Sequence, residues 1–338
     1  MRPIIQKNGQ PEYGVLDEPI RFNHEDFILR NFFGKPVGGI RKKLAYHAFN
    51  FLGVLSQEHI AGVAVVNLGY MHALFAYVYS FSQGMLFSWE TKGPGLGRLL
   101  FPANPDEYEI LWEKGKNRVH IEKSHASGRL EADIRLGGRF ALRLSAPYSL
   151  AGNQPLRVLN PSEPFRWTFT EKGMPILPQE LSMTLDGRTL EGPENATILY
   201  DWSGGYLRRQ TNWFWAAFSG VQEGKLPVGA NFAALTNETY FSENAFWVNN
   251  RRTRVPRVIF TFDYDDPFRP WTVRDEEGLV DLTFHPAGER SEKINALVIK
   301  TYFRQFFGHF EGVLRPPEAD PVEISGVRGF TEFHRALW

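Results

Sequence analysis

The residues best suited to chemistry lie in the run Arg209-Gln210-Thr211-Asn212-Trp213-Phe214-Trp215-Ala216. Successive side chains alternate along a β-strand. Arg209, Thr211, Trp213 and Trp215 therefore share one side, and Arg208, Gln210, Asn212 and Phe214 the other. A plain core takes valine and isoleucine, whereas a cation, a hydroxyl and two indoles suit the wall of a ligand cavity. This makes that side the expected interior wall of a barrel. Further polar residues follow in the same half. Asn231 stands between Ala230 and Phe232. Glu243 and Asn244 enter the apolar strand Ala245-Phe246-Trp247, so Glu243 is either exposed in a turn or used, because burying it unpartnered is costly. Thr301, Phe303, Gln305, Phe307, His309 and Glu311 share one side of another run, and Phe330, Glu332 and His334 one side of the last. A carboxylic acid kept protonated by apolar surroundings can donate a proton to an alkene or carbonyl, and indole faces steady the cation that forms.

Glu243, Glu332 and Glu311 are accordingly the candidate acids. The candidate ligand contacts are Arg209, Thr211, Trp213, Trp215, Asn231, Asn244, Gln305 and His334. Arg209 would hold a substrate carboxylate rather than react, because guanidinium does not deprotonate. A plainer reading stands beside this one: the indoles fill a core, Arg209 pairs at a barrel end, and the other polar residues are structural or exposed.

Other motifs carry less. Gly93-Pro94-Gly95-Leu96-Gly97 lacks the lysine of a P-loop and any βαβ setting, so it reads as a loop. His120 to His125 lacks the helical spacing of an HExxH zinc site, and no serine sits in a G-x-S-x-G elbow. No metal and no cofactor are expected. Lys plus Arg equals Asp plus Glu at 38 each, so no global field draws nucleic acid or an anionic membrane. Arg251, Arg252, Arg254 and Arg257 adjoin the turn Val248-Asn249-Asn250 and read as a solvated hairpin end, with peripheral contact to anionic headgroups as the minority reading. The chain has no cysteine, which excludes disulfides and thiolate chemistry.

The elements that must position these residues read as strands. The chain has 28 Phe, 9 Trp, 12 Tyr, 31 Gly and 22 Pro in 338 residues, which favours many strands and turns over long helices. Strand-like runs recur from Leu44 to Ser145, separated by turns such as Leu136-Gly137-Gly138-Arg139, and again from Leu181 to the end, including Ala296 to Phe307, Phe310 to Leu314 and Gly329 to Trp338. Prolines 155, 161, 164, 175 and 178 interrupt the texture between Gly152 and Gln179, as a domain connection would. The expected domains are thus 1-180 and 181-338, each with on the order of eight strands. From His59 to Trp89 there is no charged residue, a length that could span a bilayer. Its glycines and β-branched residues favour two buried strands turning near Asn67-Leu68-Gly69 instead. The N-terminus has no secretory pattern, and a cytoplasmic location is expected.

Several of these stretches carry a resemblance. GGYLRRQTNWFWAAFSG, VGANF, SENAFWVNN, FRQFFGHFEGVL and GVRGFTEFHRALW resemble the bacterial family named as domain of unknown function 2804, over nearly the whole chain. More distantly, DGRTLEGPENATILYDWSGG followed by a tryptophan-rich strand is similar to carotenoid hydratases and related lipocalin-like cyclases. That resemblance implies an all-β fold of two consecutive lipocalin-like antiparallel β-barrels with few short helices, and a hydrophobic substrate. The expected partner is a hydrophobic small molecule (lipid, isoprenoid or polyene-like) held in a barrel cavity. Its hydration, isomerisation or cyclisation by a carboxylic acid, its simple carriage, and a structural interaction role all remain open. Oligomeric state is not legible.

Overall fold

The alternation of the sequence becomes strand almost throughout the computed structural model, which describes residues 1–94, 99–192, 194, 196–236, 240–295 and 300–337. Among these, α-helix is confined to Gly39–Leu44 (α1) and Leu150–Asn153 (α2). The chain folds as two consecutive lipocalin-like antiparallel β-barrels. The first is built from two sheets. An eight-stranded sheet runs, in spatial order, Gly14–Val15, Leu156–Glu163, Arg166–Ile176, Ala196–Tyr206, His47–Ser56, His59–Asn67, His72–Ser80 and Gly84–Gly93. A six-stranded sheet faces it, running from Arg188–Glu191 through Glu180–Leu185 and Phe140–Pro147 to Glu107–Lys114. The second barrel is one nine-stranded sheet. Its centre is the series Leu226–Ala234, Gln210–Gln222, Val322–Leu337, Lys300–Leu314 and Val280–Asn295, and Val258–Thr261 near one edge returns against Leu226–Ala234.

Three buried clusters hold this arrangement together. Trp112, Trp167, Tyr200 and Trp202 belong to the core of the first barrel. Glu171 is fully buried within it, pairing with Lys123, with Arg157 at 3.0 Å and with His125 at 3.1 Å, and Arg157 also pairs with Asp106. These five groups and Tyr148, whose hydroxyl donates to Glu171 at 3.1 Å, offset one another's charge, as buried charges must. Ala216, Phe218, Phe232, Phe246, Trp271 and Phe310 form the core of the second barrel. The third cluster lies between the barrels: Phe51, Leu55, Tyr77, Tyr79 and Leu199 meet Trp215, Ala217, Trp247, Phe307 and Phe330. Tyr79 stacks on Phe307 at 4.5 Å, and Gly288 admits the Tyr79 ring, since a Cβ there would lie 2.3 Å from its hydroxyl.

This third cluster corrects the expected orientation of the tryptophan-rich strand. Phe214, Ala216 and Phe218 point into the second barrel, while Thr211, Trp213, Trp215 and Ala217 point out of it, toward the first. The side expected to wall a barrel interior is therefore the seam between barrels. Both sides of this strand are buried, so alternation alone could not tell inside from seam.

The proline-rich stretch is also not a connection. It forms the paired strands Leu156–Glu163 and Arg166–Ile176, with register shifts at Pro161/Glu163 and between Gly173 and Ile176 that accommodate prolines. Glu180–Leu185, Arg188–Glu191 and Ala196–Tyr206 then join the sheets of the first barrel, so the sheets divide between Tyr206 and Gln210 rather than at 180/181. The uncharged stretch becomes the strands His59–Asn67, His72–Ser80 and part of Gly84–Gly93. Asn67 Oδ1 accepts from the Gly69 backbone N–H at 2.8 Å in the expected turn. Among the described residues no helix is long and apolar enough to cross a membrane. Lys300–Leu314 is one continuous strand that joins the strand-like runs ending at Phe307 and beginning at Phe310, and Gly308 lies against the His285 carbonyl. Gly95 to Gly97, Ala296 to Ile299 and Trp338 lie outside the described residues.

Candidate functional site

Antiparallel register aligns the site across both sheets. On the second barrel Arg290, Gln305, Glu332 and Trp215 stand opposite one another in sequence across four strands. On the first, Lys172, Asp201 and Phe51 form the corresponding row. Where the two faces diverge they leave a cavity of about 170 Å³ with largely apolar walls. Trp213, Trp215, Phe49, Val66, Leu68 and Ala233 line it, and polar residues, Lys172, Asp201, Ser203, Thr168, Thr211, Glu243 and Glu332 among them, also border it while contributing little of its surface. The volume is close to the ~150 Å³ of a dry cavity that accepts benzene.

Glu332 is the carboxyl in the cavity wall whose pKa is raised into the neutral range. Burial raises its pKa to about 7; the hydrogen bond from Trp213 opposes this, as does the charge of Arg290. Trp213 Nε1 donates to Oε2 at 3.0 Å and Gln305 Nε2 donates to Oε1 at 2.8 Å. Each oxygen thus accepts one bond from the protein, which fixes the carboxyl plane and leaves room for its own proton. Asp201 pairs with Lys172 at 2.5 Å and accepts from Ser203 Oγ at 3.3 Å. Burial raises the Asp201 pKa, with Lys172 holding it back, and Lys172 lies 5.0 Å from the centre of the Trp215 ring. Asp201 and Lys172 both act electrostatically on Glu332. His47 also lines the cavity and is held neutral, its pKa lowered by burial to about 4.

The expected site residues fall into three groups. Thr211, Trp213, Trp215, Glu243 and Glu332 line the cavity. Asn231, Asn244, Gln305 and His334 stand behind them as supports. Trp215 Nε1 donates to Asn231 Oδ1 at 2.7 Å, and Asn231 Nδ2 donates to the Glu243 carbonyl at 2.6 Å. Asn244 accepts from the Ala233 N–H at 2.7 Å, which fixes the segment carrying Glu243. His334 packs edge-on to Trp213 at 4.1 Å, meets Thr301 Oγ1 at 2.6 Å, and is kept neutral by burial, its pKa lowered to about 3.

Arg209 and Glu311 are in neither group. Arg209 is exposed just before the strand begins, and its neighbour Arg208 lines the cavity instead, donating to the carbonyls of Leu235 and Thr236 at 2.7 Å. Glu311 is exposed, facing His285 and His309 at 3.5 Å each, away from the cavity. The offset follows from geometry: the seam-facing row of this strand ends at the buried Phe307, His309 is half-buried and Glu311 is exposed. Those three residues, and Asp106, His125 and Glu171, are the described groups close enough to hold an ion. The second group already has Lys123 and Arg157 as its cations.

The contribution of the first barrel was missed in the sequence. Its signal is Thr168, Thr170 and Lys172 alternating with Trp167, Phe169 and Glu171 inside the proline-rich stretch, and Asp201 and Ser203 at the same spacing. A strand bearing polar groups on one side and aromatic ones on the other needs two distinct buried neighbours.

Known proteins bear on the fold. The structure is similar to kievitone hydratase from Nectria haematococca, at 12% identity and a TM-score of 0.53 over 86% of this chain and 88% of that one. It is also similar to CghA in complex with Sch210972, at 10% identity and a TM-score of 0.52 over 87% and 88%. At such identities the likeness is one of fold. No curated protein matches the sequence. The family model described as a domain of unknown function, DUF2804, matches residues 2–338, and the chain belongs to that family.

Proposed function

We propose that the cavity between the barrels binds the reactive end of an apolar small molecule, and that Glu332 donates a proton to it. The observation carrying this reading is a buried carboxyl with a pKa near 7, facing a largely apolar cavity walled by two indoles. A protonated Glu332 places its proton on an alkene carbon. Positive charge then develops at the adjoining carbon, between the faces of Trp213 and Trp215. In a hydration, water adds to that carbon and gives its surplus proton to the Asp201 carboxylate held by Lys172; solvent then returns Asp201 and Glu332 to their starting states. Isomerisation or cyclisation needs the same first step, followed by loss of a proton or closure by an internal π bond. The cavity size favours a single ring or a prenyl-sized unit over a whole polyene chain, with the rest of the molecule leaving past the half-buried rim residues Val66, Leu207 and Arg208. The hydratase named among the similar structures supports this class of reaction by analogy of fold.

The test is a screen of small aromatic and prenylated alkenes by tryptophan fluorescence, followed by mass analysis for a gained water or a shifted double bond. Glu332→Gln should keep the affinity within about twofold and lower turnover by about a hundredfold or more. Binding without turnover in the unaltered protein would leave a carrier. No quenching by any apolar probe would end the reading altogether.

A further inference from the structure

The strongest feature outside the cavity is the surface formed by residues 28–44. Phe32 and Phe33, adjacent in the loop closed by the bridge between Arg30 and Pro36, are 95% and 83% exposed, and their rings touch each other edge-on at 5.4 Å. Ile40 on the short helix α1 is 72% exposed, and Ile28 and Leu44 are also exposed. Large aromatic side chains held so far out of the protein lose the benefit of burial. Interleaved with them are Arg30, Lys35, Arg41, Lys42 and Lys43, and no Asp or Glu occurs between Asp26 and Glu58. A molecule with zero net charge therefore carries a locally cationic, apolar face. Part of the basic character is structural: Arg30 donates to the Gly34 carbonyl at 2.8 Å, Lys42 to the Glu25 carbonyl at 2.5 Å, and cations suit the C-terminal turn of α1. Arg41, Lys43 and Lys35 remain exposed.

We infer that this face docks on an anionic lipid bilayer, with Phe32, Phe33 and Ile40 entering the headgroup region and Arg41, Lys43 and Lys35 meeting lipid phosphates. Protruding aromatic wedges ringed by cations match a surface that is charged outside and apolar within. A protein partner would have to bury both aromatic rings while neutralising the cations around them. Location adds a second argument. The helix α1 leads through Tyr46 directly into His47, a cavity-lining residue. Its last residue, Leu44, contacts Gly69, which follows the cavity-lining Leu68 in the turn between strands. The lipid-facing surface and the cavity thus share one end of the first barrel. That the bilayer supplies the apolar ligand rests on the proposed function of the cavity; the docking itself does not.

The test is co-sedimentation of the full chain with vesicles of phosphatidylcholine alone and of phosphatidylcholine mixed with phosphatidylglycerol. Retention on the anionic vesicles, weakening with salt, is expected, with much less on the neutral ones. Arg41→Gln with Lys43→Gln should weaken it roughly 25-fold, from about fivefold for each cation removed. Phe32→Ser with Phe33→Ser should abolish it while leaving the melting temperature unchanged, as both side chains are exposed. Undiminished retention of the phenylalanine variant would overturn the inference, as would equal retention on neutral vesicles or none on either. A dimer in solution that this variant converts to monomer would assign the patch to a second copy instead. Ligand quenching of tryptophan fluorescence in vesicle-free solution reports on the cavity separately, so failure of one reading is distinguishable from failure of the other.

Discussion

Glu332 sits where desolvation and hydrogen bonding pull in opposite directions. Burial favours the neutral acid; Trp213 favours the carboxylate, and burial prevails. This has a consequence for stability. A carboxyl with a raised folded-state pKa binds its proton more tightly when folded, so it contributes stability below its unfolded value of about 4.3 and loses that contribution as pH rises to about 7. The Glu332 contribution should therefore fall across that window by at most about 4 kcal/mol, while the buried neutral His47 and His334 contribute in the opposite sense as pH rises toward 6.5; the Glu332 part is read as the difference in pH slope between the unaltered protein and Glu332→Gln in calorimetric scans. A second residue-scale expectation concerns the buried pair opposite. Lys172→Met strands Asp201 without its cation and should destabilise by about 3–5 kcal/mol in denaturant titrations. Adding Asp201→Asn should recover much of that loss, which a purely steric role for Lys172 would not allow.

At the scale of elements, the strand Gln210–Gln222 shows what the sequence could and could not say. Its existence, its alternation and the shared side of Thr211, Trp213 and Trp215 are all legible. Which neighbour each face meets is not, because Phe214 and Phe218 on one side and Trp213 and Trp215 on the other are equally fit for burial. Glu332 was named with two other acids of equal standing, since only tertiary placement separates a desolvated carboxyl from the exposed Glu311. Lys172 and Asp201 were hidden for a different reason. The prolines around Lys172 suggested an interruption, whereas the sheet absorbs them at register shifts. Glycine was ambiguous in the same way. Gly308 lies mid-strand, where a Cβ would fall 2.1 Å from the His285 carbonyl, a contact with rigid backbone. Gly308→Ala should force the strands Val280–Asn295 and Lys300–Leu314 apart and lower stability by about 1–3 kcal/mol, measured by chemical denaturation.

At the scale of the molecule, the two barrels share one seam that both closes the core and forms the cavity. Asn160 on the first barrel clasps the second through both of its amide atoms, donating to the Phe241 carbonyl at 2.6 Å and accepting from the Phe241 N–H at 3.0 Å. Phe51, Tyr79 and Leu199 would be bare without Trp215, Phe307 and Phe330. The barrels are therefore expected to unfold together, in one calorimetric transition, and residues 1–206 expressed alone should aggregate through that uncovered face. The seam also buries Glu332: residues of both barrels line the cavity it faces, and burial raises its pKa. The most direct measurement is an NMR titration of the carboxyl carbons in protein labelled at glutamate side chains. A glutamate titrating at about 7, absent from Glu332→Gln and moved still higher by Trp213→Phe, is the predicted result. Glutamates that all titrate in the ordinary range near 4.3 would contradict the account.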